Sequence, residues 1–175
     1  MWDAVVRLFH WTVVVGCFLD LFILDDGKRW HRIIGYVVAA ALVIRIAWGF
    51  VGSRRARFSD FVPRPAALVA YLRALIRGEE QRFIGHNPAG AMMILLLMAL
   101  LAGVSITGWM LTIDAYFGNE PLEALHEAIA NSILVMAGLH AAAVLYESRR
   151  HKENLIWAMI TGYKGSSQNL FQILR

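Results

Sequence analysis

Apolar residues along the chain gather in four long runs separated by polar stretches. The runs cover about residues 6–24, 31–51, 89–113 and 126–147. Each is long enough to cross a bilayer, which takes about 20 residues as a helix. The first and last runs are interrupted by His10, Asp20 and His140. Asp3 precedes the first run and no small-x-small cleavage site follows it. The segment is therefore read as a retained span rather than a signal peptide. Between the second and third runs, "PRPAALVAYLRALIRG" opens on proline and closes on glycine. Its Leu68, Tyr71, Leu72, Leu75 and Ile76 recur at helical spacing, which predicts an amphipathic helix lying on the membrane surface. "ENLIWAMITGYKG" near the C-terminus predicts a second interfacial segment. The expected fold is all-α: an integral membrane four-helix bundle with an interfacial helix in the long loop, in one domain spanning residues 1–175.

Composition agrees. Hydrophobic residues make up 58% and charged residues 17%, against about a quarter charged in soluble domains. The net charge of +4 does not indicate nucleic acid, because the basic residues are sorted by loop. Arg54, Arg55, Arg57, Arg64, Arg73, Arg77 and Arg82 lie between the second and third runs. Arg149, Arg150, Lys152 and Lys164 follow the fourth. The third connection has only Asp114, Glu120 and Glu123. The first is mixed, with Asp25, Asp26, Lys28 and Arg29. The positive-inside rule then places both termini and the long loop in the cytoplasm. The lone cysteine, Cys17, reads as a small core residue and excludes an internal disulfide, an iron–sulfur cluster and covalent haem.

Ionisable residues inside spans point to function. Four histidines need a joint account: His10, His31, His126 and His140. A structural alternative is a hydrogen bond to a neighbouring helix. His126 and His140 are fourteen residues apart, just under four helical turns, so they share a face roughly 21 Å apart along it. By depth the four form an inner pair, His10 with His140, and an outer pair, His31 with His126. Two ligands per layer are too few for zinc, which takes about four. Haem iron needs only two axial ligands, because the porphyrin supplies the rest. The expectation is two bis-histidine b haems stacked across the membrane.

Arg45 follows His31 by fourteen residues, hence on the same face and at the depth of His10 and His140, and is a costly cation mid-span. It is read as a haem propionate contact, with snorkelling to the headgroups as the alternative. Gly35, Gly49, Gly108 and Gly138 would admit a flat macrocycle or close helix packing. Trp2, Trp11, Trp48, Trp109 and Trp157 fit an interfacial aromatic belt. His86 in "GHNPAG" is either a loop residue or a proton-handling group near quinone. Asp20 is either a proton relay or an interfacial hydrogen-bonding group.

"RLFHW", "HRIIGY…RIAWGFVG", "GHNPAG" and "LHEAIAN…GLH" together resemble the bacterial cytochrome b561 family, which includes the cytochrome b subunit of nickel–iron hydrogenases. "ARFSDFV" and "HKENLIWAMITGYK" add to the likeness. The resemblance implies a four-helix bundle with two b haems ligated by His10, His31, His126 and His140, exchanging electrons with quinone. The implied function is electron transfer between the quinone pool and a periplasmic partner such as cytochrome c. A superoxide oxidase reducing ubiquinone is the alternative, and a haem-free membrane anchor is a third reading. Expected partners are membrane lipid, quinone and a periplasmic redox protein, with a homodimer left open.

Overall fold

A computed structural model describes residues 3–24, 28–78, 87–151 and 154–162. Trp2, Asp25, Asp26, Arg82, His86, Lys152 and Lys164, all used above, lie outside them, and Arg55 and His151 are described by backbone alone. Helix α1 spans Ala4–Phe22 and α2 Arg29–Val51. Two short helices follow a single-turn 3-10 element at Arg54–Ala56: α3, Phe58–Phe61, and α4, Pro65–Arg77. Then come α5, Pro88–Met110, α6, Glu120–His151, and α7, Leu155–Thr161. Among the described residues there is no strand. Four helices, α1, α2, α5 and α6, are long and apolar enough to cross a membrane. The chain is a helical, multi-pass membrane protein.

Local chemistry sets the boundaries. Asp3 caps α1 by accepting from the backbone N–H of Val5 and Val6. Asn87 caps α5 through a bond from Gly90 N, with Pro88 in the first turn. α4 begins at Pro65 and ends on Gly78, whose φ of 70° is the left-handed geometry of a helix stop. The same conformation at Gly118 (φ 72°) turns the chain into α6, where Asn119 Oδ1 accepts from Leu122 N. α6 therefore starts at Glu120, earlier than its apolar run. Glu120 and Glu123 in its first turn favour the helix dipole.

The spanning helices pack in a row: α1 on α2, α2 on α5 and α5 on α6. Neighbours are antiparallel. Asp3 Oδ1 accepts from Trp48 Nε1 at one end of the α1–α2 pair, and Asp20 faces His31 at the other. In the α5–α6 pair, Thr107 meets His126 and Asn87 Nδ2 donates to Glu147. The end helices of the row, α1 and α6, have no extensive contact with each other among the described residues. α7 folds back on α1: Arg7 donates to Ile160 O at 2.6 Å and Trp11 Nε1 to Met159 O at 3.3 Å. α4 packs against α5 through a buried Tyr71 and leaves Val69, Leu72, Leu75 and Ile76 exposed. That uncovered apolar face belongs to an interfacial helix.

Val38, Leu42, Met98, Leu101 and Ile133 form a buried apolar cluster where α2, α5 and α6 meet. Ile133 lies seven residues from both His126 and His140, on their face of α6. Large apolar side chains such as Leu8, Val43, Phe50 and Leu139 face outward, as lipid contact requires.

Candidate functional site

His31 lies in the first turn of α2 and His126 closes the second turn of α6, which brings them to one end of the bundle. Their ring centres lie 6.3 Å apart with planes at 75°. A metal bonded to one nitrogen of each ring at about 2 Å would hold the ring centres about 6 Å apart. The outer pair thus already has the separation of two axial ligands. Each ring also has a polar group at Nδ1. For His126 it is the Thr107 hydroxyl at 3.0 Å. For His31 it is Asp20 Oδ1 at 3.6 Å, within ion-pair range. Thr107 Oγ1 also lies 2.9 Å from Gly103 O and 3.2 Å from Val104 O. Its single proton goes to a carbonyl, so the oxygen accepts from His126 Nδ1–H and leaves Nε2 as the bare nitrogen. Holding the tautomer this way is what a ligand histidine needs.

His10 and His140, from α1 and α6, are half-buried and within electrostatic range of each other. They belong to the two end helices of the row, which barely touch. His10 Nδ1 is buried with no hydrogen-bond partner. By position along their helices, His10 and His140 lie at a different depth from His31 and His126.

Arg45 is 4% exposed and its Nη1 has no hydrogen-bond partner. Its guanidinium lies 5.2 Å from the Phe58 ring centre and 6.0 Å from that of Phe61, a cation–π contact. The register of α1 on α2 sets it opposite Val6. That is about one helical turn beyond His10, toward the α1 N-terminus, rather than level with it. It does not snorkel outward, because α3 covers it. The four glycines divide. A Cβ at Gly49 would strike the Phe58 ring, and one at Gly108 would lie 3.0 Å from His126 Cε1. Those two serve close packing. Gly35, one turn from His31, and Gly138 meet nothing within 4 Å.

Sequence reasoning missed two groups. Thr107 could have been found from its place one residue before Gly108 in an apolar span. Asp3 carries more than a cap: it also accepts from Trp48 Nε1 at 3.1 Å and Ser53 Oγ at 2.6 Å. Burial acts to raise its pKa. The bonds from Ser53, Val6, Trp48 and Val5 outweigh that and hold the carboxyl below its ordinary value.

The residues fit haem on these observations. The outer rings have axial spacing, Gly35 faces open space, and buried nitrogens of His10 and Arg45 lack partners within the chain. Among the described residues no three histidine, cysteine or carboxylate side chains cluster as a site for a bare metal ion. The fold and these layers define a class: a multi-pass membrane protein built around paired intramembrane histidines. The chain belongs to the prokaryotic cytochrome b561 family, whose profile matches residues 1–162. It is similar to the probable Ni/Fe-hydrogenase B-type cytochrome subunits of Rhodobacter capsulatus, Rhizobium leguminosarum bv. viciae and Azotobacter vinelandii. To the first it is 26% identical over 94% of this chain and 80% of that subunit. To the second it is 23% identical over 93% and 87%, and to the third 22% over 94% and 87%. No solved structure matches. Family membership makes it a haem b protein of transmembrane electron transfer.

Proposed function

We propose that the chain carries electrons across the bacterial inner membrane through two b haems, between the quinone pool and a periplasmic redox partner. The outer haem is held by His31 and His126 and the inner by His10 and His140. Both termini and the arginine-rich loop are cytoplasmic. The observation that carries this reading is the 6.3 Å spacing of the outer rings, at the far end of a helix that also bears His140.

Haem b, when bound, supplies reversible one-electron redox chemistry. The chain's own residues do the rest. Thr107 fixes the His126 tautomer and leaves Nε2 for iron. Arg45 stands beyond the inner layer as a cation for propionate. Val38, Met98, Leu101 and Ile133 supply buried apolar packing between the levels of the two histidine pairs.

The outer rim around α6 carries exposed Asp114, Glu120 and Glu123, which complement a lysine-rich cytochrome c. The hydrogenase subunits among the relatives support a redox enzyme as partner. Exposed Lys28, Arg29 and Arg32 beside His31 favour a second reading, superoxide oxidation. Stopped-flow mixing decides it: haem reduced by superoxide supports that activity, and haem left oxidised removes it.

The test is haem stoichiometry. The purified protein should hold two b haems per chain by pyridine haemochrome, and His140→Ala should hold one. An unchanged count in that variant would refute the inner pairing.

A further inference from the structure

Asp20 is a carboxylate in the last turn of α1, inside an apolar span, where a charge must be explained. Its Oδ1 lies 3.6 Å from Nδ1 of His31. That nitrogen is buried and has no hydrogen bond. On the outer partner ring, the group 3.0 Å from His126 Nδ1 is the neutral hydroxyl of Thr107. In the inner layer, His10 Nδ1 has no hydrogen-bond partner, and the Arg45 guanidinium stands about one helical turn beyond it, toward the α1 N-terminus.

We infer that Asp20 is a positioning residue for His31 that lowers the potential of the outer haem, so the wire is tilted for electrons to run from the outer face to the inner. The inference rests on the proposal that His31 is an axial ligand. A carboxylate at the far nitrogen of a ligand imidazole fixes the ring and makes it a stronger donor. A stronger donor and a nearby negative charge both favour the ferric iron, which carries one more positive charge than the ferrous. Arg45 acts with the opposite sign on the inner side, where a cation favours the reduced state. The two charges therefore separate the potentials in the same direction. Each electron lost at the outer iron is gained at the inner one, with no bond made or broken between them. The donor is a periplasmic one-electron reductant and the acceptor a quinone that takes two electrons and two protons. The low dielectric of the interior makes charges at this range effective.

The experiment is a redox titration of the haem-loaded protein in detergent, comparing wild type, Asp20→Asn, Asp20→Glu and His31→Ala. His31→Ala should keep one haem, and its potential identifies the inner centre. Two haems in that variant would overturn the ligand assignment beneath the inference, whatever Asp20 does. With that control in place, Asp20→Asn should keep both haems. Its outer potential should rise while the inner stays fixed, and Asp20→Glu should restore most of the wild-type gap. An unmoved outer potential in Asp20→Asn, with both haems present, would overturn the inference. If Asp20→Asn loses the outer haem, recovery of that haem at low potential in Asp20→Glu supports the role of the charge. Failure of Asp20→Glu to recover it overturns that role.

Discussion

Thr107→Val isolates the control of a single ligand. Thr107 is 6% exposed, and its oxygen lies 3.0 Å from His126 Nδ1. Valine matches threonine in shape, so no cavity opens. The change removes one acceptor from a buried imidazole N–H. Leaving such a donor unpaired costs about 1–3 kcal/mol. At 1.4 kcal/mol per tenfold, that is about 5- to 150-fold in affinity for the outer haem. It matches the about 10- to 100-fold loss typical when a residue orienting a metal ligand is replaced. The cost falls on the bound state, because free His126 can turn its ring or change tautomer. The assay is haem transfer to excess apomyoglobin, followed in the Soret band. Two-phase kinetics are expected, with only the outer phase accelerated in Thr107→Val and Thr107→Ser close to wild type. His126→Ala, which should lack that phase, identifies it. Wild-type kinetics in Thr107→Val would refute the reasoning and leave the hydroxyl bonded to its own helix, with no effect on His126.

Two further expectations concern the inner end of the bundle. Arg45→Leu should lower the inner haem's potential or its occupancy, because the orphaned guanidinium no longer meets a propionate; a redox titration equal to wild type would remove Arg45 from that site. Asp3→Asn should weaken the clasp among α1, Trp48 and Ser53, lowering thermal stability in detergent by about 1 kcal/mol at neutral pH, the usual scale of a cap. Because the folded carboxyl titrates below its ordinary value, the wild type holds this stability above about pH 3.9 and loses it as pH falls through the lower folded value. The difference between Asp3→Asn and wild type should therefore shrink in acid, and a constant difference would contradict the assignment.

The spans were legible because hydrocarbon demands long apolar helices, and no other arrangement satisfies their backbones. The common face of His126 and His140 was legible for a geometric reason: fourteen residues return to nearly the same face, so the two could be placed without knowing their neighbours. Thr107 was not legible. Its meaning lies in which helix stands opposite, and an apolar span carries no mark of its partner's register. The depth of Arg45 was misjudged for the same reason. Counting along α2 alone sets it level with His10, but the α1–α2 register, fixed by Asp3 on Trp48 and Asp20 on His31, moves it one turn toward the α1 N-terminus. Only contacts across helices could also divide the glycines. Gly49 and Gly108 admit Phe58 and the His126 ring, and Gly35 and Gly138 face open space. The four look alike in sequence because a missing side chain records only that room was needed, not what fills it. The same limit governs Asp20. A carboxylate in a span marks a task, but only the closure of α1 on α2 brings it to His31.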